Sequence, residues 1–307
     1  MPPHIPSLPP RFTAERVLTA EPRATTVLAR DRVLDRLVVI KLVDLAHAPG
    51  TDAGERFDRE AQAAASVNHP NVVTVFDYGS HAGARYLVLR HVEGESLRVF
   101  LDRRGRVNAG EAIRIVGQIL AGLGAIHAAG VVHRDITPEN VIVGADGLLR
   151  ITNFGVAAAP SEHGRSMPAL SLGSPAYMAP EQSFGYGATP AADIYAVGVL
   201  LFEMLTGELP FPLGASPALA FARVAAPPAI RDIAPDADLP PHLEAVARRA
   251  LSTNPDDRFH SAAEMAGALL TPSATVETPP QPLEAQAPAP PVLPPLHSAL
   301  VLPVHPH

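Results

Sequence analysis

The most informative stretch of the chain reads Val131-Val132-His133-Arg134-Asp135-Ile136-Thr137-Pro138-Glu139-Asn140-Val141-Ile142-Val143. It separates the carboxylate of Asp135 from the amide of Asn140 by five positions and has apolar residues at both ends. It directly follows a predicted amphipathic helix, in which Asn108 and Glu111 have the spacing of a capping box and which Gly130 ends. The polar residues therefore lie in a loop, where they are either working groups or hydrogen-bonded anchors.

The residues before this helix read mainly as short strands. Runs of β-branched and aromatic residues predict strands over Val38–Val43, Asn71–Tyr78 and Arg85–Leu89, with one helix at about residues 54–67. After the loop, apolar residues recur at helical spacing in three further segments, at about residues 191–206, 243–251 and 261–270. We predict an α+β, bilobal protein, with a small β-rich N-lobe at about residues 12–90 and a larger α-helical C-lobe at about residues 91–270.

Composition excludes several classes of function. The chain has 307 residues, of which 47% are hydrophobic and 18% charged, so it can bury a sizeable core. A net charge of −7 argues against nucleic acid and against an anionic membrane surface. No cysteine is present, no stretch has the roughly 18 uninterrupted apolar residues of a membrane span, and the start lacks the order of a signal peptide. We expect a cytoplasmic protein.

Both ends of the chain are rich in proline and lie outside the two predicted lobes. Residues 1–11 form a predicted N-terminal extension, and residues 271–307 form a tail with eleven prolines, which we expect to be disordered. The tail favours the polyproline II conformation and could alternatively dock on an aromatic groove of a partner.

The loop resembles the catalytic loop of eukaryotic-type bacterial Ser/Thr protein kinases, which reads H-R-D-x-x-x-x-N. Further segments resemble motifs of this family in the correct order: Val39-Ile40-Lys41, Glu60, Asn153-Phe154-Gly155, the run from Gly173 to Glu181, Asp193 and Arg258. Asp193 matches the family's buried aspartate, and Arg258 matches the arginine that pairs with the glutamate at the end of the substrate loop, here Glu181. Lys41, the only lysine of the chain, stands at the one lysine position that the family motif needs. The resemblance covers about residues 12–270 and implies the bilobal kinase fold.

The resemblance implies roles for individual residues. Asp135 orients the attacking hydroxyl of a protein substrate, with Arg134 and Thr137 as further catalytic-loop residues. Lys41 pairs with Glu60 and holds the phosphates of ATP. Asn140 and Asn153 would bind Mg²⁺ weakly. The remaining residues implied to contact the nucleotide are Leu18, Thr19, Val39 and Ile142.

The segment matching the glycine-rich loop departs most from the family pattern. It contains no glycine between residues 18 and 27, and Thr19, Glu21 and Ala24 stand at the three glycine positions. Glu21 would bring a negative charge near the phosphates, and Pro22 removes a backbone donor, so both weaken phosphate binding. Arg23 could compensate. The alternative is that this segment is simply a hairpin of the small lobe.

Asn153 in place of aspartate removes the one anionic ligand that the family offers to Mg²⁺, so that metal is bound weakly or is dispensable. Thr137 stands where these kinases usually have a lysine. Val39 replaces an alanine and would press on the adenine. Lys41, Glu60, Asp135 and Asn140 nonetheless remain as a working kinase needs them, unless they serve only as structural hydrogen-bonding and ion-pairing groups.

Three functions remain open. The leading hypothesis is a kinase-fold protein that binds ATP and has weak or absent phosphotransfer, with a regulatory or scaffolding role and a protein partner. The main alternative is an active Ser/Thr protein kinase, and the third is a small-molecule phosphotransferase, which the substrate-loop resemblance of residues 173–181 disfavours. Ser166 and Ser171 are candidate phosphorylation sites facing Arg134, or ordinary loop residues, and Ser174 would shape the substrate pocket. The sequence leaves the oligomeric state unknown.

Overall fold

The computed structural model describes residues 7–22, 24–45, 53–153, 175–211 and 226–271. The chain divides into two units, Met1–Pro272 and Ser273–His307, and every described residue belongs to the first. The predicted proline-rich tail therefore lies outside the described residues, apart from Thr271.

The N-terminal lobe is a five-stranded antiparallel sheet with the strand order β1-β2-β3-β5-β4. One helix, α1, follows β3. The elements are β1 (Phe12–Ala20), β2 (Ala24–Asp31), β3 (Arg36–Val43), α1 (Ala53–Ser66), β4 (Val75–His81) and β5 (Ala84–Arg90). The predicted strand over residues 71–78 begins later, at Val75, because Val72 and Val73 instead pair with Ile151 of the second lobe.

The alternation of residues in β3 determines which side chains face the second lobe. Val38, Ile40 and Leu42 belong to a buried cluster on one face of the sheet, together with Val27 and Phe12. Since successive side chains point to opposite faces, Val39, Lys41 and Val43 lie on the other face. Val43 joins the main core, and Val39 packs against it. Lys41 is therefore turned toward the space between the lobes.

The residues just before β1 pack onto the sheet, although the sequence assigned them to an N-terminal extension. Leu8 contacts the cluster formed by Phe12 and its neighbours. The Arg11 guanidinium donates two hydrogen bonds, of 2.9 and 2.6 Å, to the buried carboxylate of Asp31. This contact holds the pKa of Asp31 at about 2. The packed N-terminal lobe thus includes residues 8–11.

The C-terminal lobe consists mainly of helices around a long apolar one. Nearly every residue of this central helix, α5, is buried, and it ends at Gly207, whose φ of 79° is the left-handed conformation that glycine adopts easily. The elements are β6 (Gly94–Ser96), α2 (Leu97–Arg104), α3 (Ala109–Ala128), β7 (Val141–Gly144), β8 (Leu149–Ile151), α4 (Pro180–Ser183), α5 (Pro190–Thr206), α6 (Ile230–Ile233), α7 (Pro241–Ala250) and α8 (Ala262–Leu270). Strands β6, β7 and β8 form a small antiparallel sheet.

The predicted helix before the catalytic-loop motif is confirmed as α3. The side chain of Asn108 accepts a hydrogen bond of 2.9 Å from the backbone N–H of Glu111, as a capping residue does. By length and composition α3 could cross a membrane. Its apolar residues, however, belong to the main core of the protein and pack against α5, α8 and β8. The two-lobed α+β architecture expected from the sequence is confirmed.

Candidate active site

One buried carboxylate, that of Asp193, anchors the loop from His133 to Asn140. Asp193, in the first turn of α5, accepts hydrogen bonds from the backbone N–H of His133 (2.9 Å) and of Arg134 (2.7 Å). The ring of His127, at the end of α3, lies 2.8 Å from the same carboxylate. Asp193 is 2% exposed, and a carboxylate so buried is stable only when it is fully hydrogen-bonded. Three elements thus meet at Asp193, which sets the position of the loop.

His133 connects this anchor to the next strand. It is completely buried, and its Nε2 lies 2.9 Å from the carbonyl oxygen of Thr152, just after β8. Burial lowers the pKa of His133 and so favours the neutral ring. The sequence interpretation of His133 as a hydrogen-bonded anchor agrees with this geometry. No role was assigned to His127 from the sequence, and its pairing with Asp193 was not predicted.

Three polar side chains converge at the mouth of the loop. The amide nitrogen of Asn140 donates to the Asp135 carboxylate at 2.7 Å and to its backbone carbonyl at 2.9 Å. The amide nitrogen of Asn153 donates to the side-chain oxygen of Asn140 at 3.1 Å and lies 3.5 Å from the Asp135 carboxylate. Burial raises the pKa of Asp135 to about 6, against the smaller opposing effects of Asn140 and Lys41. A carboxyl group with this pKa can accept a proton near neutral pH.

Lys41 reaches this cluster from the N-terminal lobe. Its ammonium donates a short hydrogen bond to the side-chain oxygen of Asn153. Lys41 is 9% exposed, and burial lowers its pKa, while the charges of Glu21 and Asp135 act in the opposite direction. Lys41, Asn153, Asn140 and Asp135 therefore form one continuous hydrogen-bonded chain across the cleft. The structure brings together four of the residues that the sequence proposed for the site.

Glu60 has a different partner from the one predicted. Its carboxylate accepts a hydrogen bond of 3.0 Å from the guanidinium of Arg134. Among the described residues, no ion pair joins Lys41 to Glu60. The expected pairing of these two residues is therefore wrong in this conformation. The physical reason is that Lys41 donates to the side-chain oxygen of Asn153 instead, and that Glu60 is paired with the guanidinium of Arg134.

The segments implied to contact the nucleotide lie along the same cleft. Thr19 of β1 is opposite Thr26 of β2, which is in turn opposite Lys41 of β3. The β1–β2 hairpin is closed by a hydrogen bond of 2.8 Å from the N–H of Glu21 to the carbonyl of Ala24. The segment therefore forms a β-hairpin, which both interpretations of it require. Leu18 is partly exposed, Val39 and Ile142 are half-buried, and Arg23 lies outside the described residues.

The end of the substrate-loop motif is firmly held. Arg258 is fully buried and donates two hydrogen bonds, of 2.7 and 2.8 Å, to the carboxylate of Glu181. It also donates to the backbone carbonyls of Ser252, Thr253 and Ala191. The predicted pairing of Arg258 with Glu181 is confirmed. Phe154, Gly155, Ser161, Ser166, Ser171, Gly173 and Ser174 lie outside the described residues.

A second anchor, which sequence reasoning missed, holds Tyr177. The Tyr177 hydroxyl donates to Glu203 of α5, and the guanidinium of Arg98 in α2 donates to the same carboxylate at 2.6 Å. Burial and the negative charge of Glu203 raise the pKa of Tyr177. Tyr177 also lines a small cavity together with Asp135 and Thr137. Thr137 is almost fully buried, so its hydroxyl faces protein rather than open solvent.

The oxygen atoms present do not fit a magnesium site. Mg²⁺ prefers charged oxygen ligands in octahedral geometry. Here the side-chain oxygen of Asn153 accepts from Lys41, and that of Asn140 accepts from Asn153. Throughout the described part of the chain, no group of three His, Cys, Asp or Glu side chains could hold a metal ion. Asn140 and Asn153 meet as predicted, but as partners of each other and of Lys41.

Comparison with known proteins agrees with this geometry. Residues 23–268 match the family described as the protein kinase domain. The chain is 35% identical over 256 residues to the serine/threonine-protein kinase PrkC of Bacillus subtilis, covering 83% of this chain and 39% of PrkC. It is 37% identical over 255 residues to the serine/threonine-protein kinase PknB of Mycolicibacterium smegmatis, covering 79% of this chain and 40% of PknB. It thus spans about two fifths of the length of these two relatives.

Solved structures give the same result for the fold. The PknI kinase domain of Mycobacterium tuberculosis superposes with a TM-score of 0.66 at 26% identity, covering 85% of this chain and 95% of that one. A structure of Rad53 in complex with AMP-PNP superposes with a TM-score of 0.68, covering 84% of this chain and 64% of that one. Its 24% identity supports the fold alone.

Proposed function

Because the chain belongs to the protein kinase family, in its eukaryotic-type bacterial Ser/Thr group, we propose that it binds ATP between its lobes and transfers the γ-phosphate weakly or not at all. The observation that carries this proposal is the hydrogen-bonded chain from Lys41 through Asn153 and Asn140 to Asp135. This chain of hydrogen bonds brings Lys41, which would bind phosphate, close to Asp135, which would accept the proton of a hydroxyl. It lacks the anionic ligand that would hold a magnesium ion, and so the positive charge that the ion would supply to the phosphate oxygens during transfer.

The chemistry follows from the groups in the cleft. The Lys41 ammonium supplies a positive charge for phosphate oxygens, and Asp135 accepts the proton of a hydroxyl. A magnesium ion, which this site does not fit, would supply positive charge to the phosphate oxygens. Losing one preorganised group of this kind costs roughly 10²–10³ in rate. Glu21, near enough to act electrostatically on Lys41 and Asp135, adds a negative charge that opposes phosphate binding.

A regulatory or scaffolding role follows if transfer is weak, with a protein as the partner. The relatives are named as serine/threonine-protein kinases, so a protein is the partner class that their names favour. The hydrogen bonds of Asp193 and Arg258 stabilise the fold around the cleft, and they do not depend on phosphoryl transfer. Such a lobe can present a surface whose shape depends on whether ATP is bound.

An active Ser/Thr protein kinase is the second candidate, and one observation favours it. The Asp135 carboxyl has a pKa of about 6, and it accepts a hydrogen bond of 2.7 Å from the amide of Asn140, which also donates to the backbone carbonyl of Asp135. These are properties of a general base rather than of a group that only fills space.

Transfer of labelled γ-phosphate from ATP separates the two candidates. The purified protein is compared with Asp135→Ala and Asn153→Asp, each with magnesium and with manganese. We expect wild type to transfer at least 100-fold more slowly than Asn153→Asp, and Asp135→Ala to be inactive. If wild type transfers at about 1–100 per second and Asp135→Ala does not, the protein is an ordinary active kinase and our proposal is wrong.

A further inference from the structure

Asn153 occupies a position between a cation and an amide that aspartate could not serve in the same way. Its side-chain oxygen accepts from Lys41, and its side-chain nitrogen donates to the oxygen of Asn140. An amide has both an acceptor and donors, whereas an ionised carboxylate only accepts. Asparagine is therefore the residue that can link Lys41 to Asn140 directly.

The hydrogen bonds of Asn153 affect both the position of Lys41 and the oxygens available to a metal ion. Lys41 needs a partner that aims it into the cleft, and Glu60 is engaged with Arg134 at 3.0 Å. No ion pair within the described residues joins Glu60 to Lys41. The same link occupies the two amide oxygens that a metal ion would need. A metal ion at these oxygens would compete with the Lys41 ammonium and the Asn153 amide that they already accept from.

We infer that Asn153 positions Lys41 for the phosphates of ATP, the role that the sequence assigned to Glu60, and that ATP binds here without a magnesium ion. This inference rests on the proposed function, since it takes ATP as the ligand. Lys41 has three N–H donors, one of which is used by Asn153, so two remain for phosphate oxygens. Asn153 is thus a positioning residue that acts through Lys41.

The single lysine of the chain makes a direct test possible. An amine-reactive label modifies only Lys41 and the N-terminal amine, which fall in different peptides and are separated by mass spectrometry. The pH midpoint of Lys41 labelling reports its pKa, and protection of Lys41 by added ATP reports binding. Both are measured on the whole chain, with EDTA and with magnesium.

Three variants give distinct expectations. Asn153 has a φ of 63°, so Asn153→Gly removes the side chain without backbone strain. We expect its labelling midpoint to fall, because the ammonium loses its acceptor, and ATP protection in EDTA to weaken about tenfold. Asn153→Asp should raise the midpoint, since a carboxylate stabilises the ammonium. Glu60→Gln should change the pH midpoint of Lys41 labelling by less than about 0.3 pH units from wild type, because Glu60 is not the partner of Lys41.

The metal dependence is read from the same samples. Wild type should be protected equally well, within about twofold, in EDTA and in magnesium, because its amide oxygens are engaged. Asn153→Asp should gain at least fivefold from magnesium, since it adds an anionic ligand and releases the oxygen of Asn140. Thermal melting confirms that each variant is folded.

Each result bears on one part of the inference. A Glu60→Gln midpoint that moves as far as that of Asn153→Gly would overturn the positioning role of Asn153. Wild-type protection that appears only with magnesium would overturn metal-free binding. If ATP protects no form under either condition, the proposed function fails and metal-free binding fails with it, while the labelling midpoints still decide which residue positions Lys41.

Discussion

The two walls of the cleft are built from different chemistry. Behind the catalytic loop, Asp193 and the pair of Arg258 with Glu181 are buried charges whose partners are all in place. On the nucleotide side, neutral amides connect Lys41 to Asp135, and the ion pair of Glu60 with Arg134 is partly open to solvent, with side chains 27% and 20% exposed. The comparison teaches that the support of the loop and the handling of phosphate are separable, since the first is intact while the second has lost its charged ligand.

Breaking the deepest pair should have the largest effect on stability. Glu181→Gln keeps the shape of the side chain but leaves the fully buried guanidinium of Arg258 without its counter-charge. We expect the free energy of unfolding to fall by about 3–5 kcal/mol, measured by urea denaturation. The matched control is Glu95→Gln, whose exposed double hydrogen bond to Arg103 should matter by less than about 1 kcal/mol. Equal losses in the two variants would contradict the role given to burial.

Asp193→Asn should have the next largest effect. The side-chain amide of the variant has only one oxygen to accept from the two backbone N–H groups of His133 and Arg134. Its NH₂ group replaces the other oxygen and faces a donor, from which it cannot accept. A buried donor left without an acceptor costs about 1–3 kcal/mol, and the unfolding free energy should fall by that amount. Faster hydrogen exchange at the amides of His133 and Arg134 locates the loss. Unchanged exchange at these two amides would show that Asp193 does not hold the loop.

The raised pKa of Asp135 predicts a pH dependence of stability on the nucleotide side. The folded state, with a pKa of about 6 against 3.8 unfolded, binds the Asp135 proton more tightly. Stability contributed by the protonated form is therefore present below pH 4 and is lost as the pH rises through 6. Asp135→Asn removes this titration, so its stability relative to wild type should rise by about 1–3 kcal/mol between pH 4 and pH 7. Urea denaturation at both pH values measures it, and a constant difference would mean that Asp135 ionises normally.

Glu60→Gln should have the smallest effect on stability. The ion pair of Glu60 with Arg134 lies at the edge of the cleft, where water screens it. We expect a loss of less than about 1 kcal/mol in unfolding free energy, measured as for Glu181→Gln. A loss as large as that of Glu181→Gln would remove the contrast between the two walls.

Much of the fold could be predicted because its signals are local. The cap of α3 at Asn108 and the strand β3 around residues 38–43 depend on neighbours within a few residues, and both are confirmed. The pairing of Arg258 with Glu181 was expected from two motifs that are far apart in the chain, and it is confirmed as well. The packing of Leu8 on the sheet was missed, because a proline-rich stretch carries no signal for the surface it meets.

The partners inside the site could not be read from the sequence. No sequence motif includes His127, and only the fold places its ring against the carboxylate of Asp193. Lys41 and Glu60 are both present as the family pattern requires, yet each bonds to another residue. Several donors and acceptors compete within a few ångströms in such a cleft, so which of them pair depends on distances that only the packed lobes define.

The sequence by itself determined the family, the two lobes, the strand that carries Lys41, and the loss of the carboxylate at Asn153. Only the tertiary structure decided that Asn153 bonds to Lys41, that Glu60 bonds to Arg134, and that burial raises the pKa of Asp135 to about 6. The physical reason is range. Capping and alternation are short-range consequences of backbone geometry, whereas hydrogen-bond partners and pKa values depend on desolvation and charges supplied by residues distant in sequence.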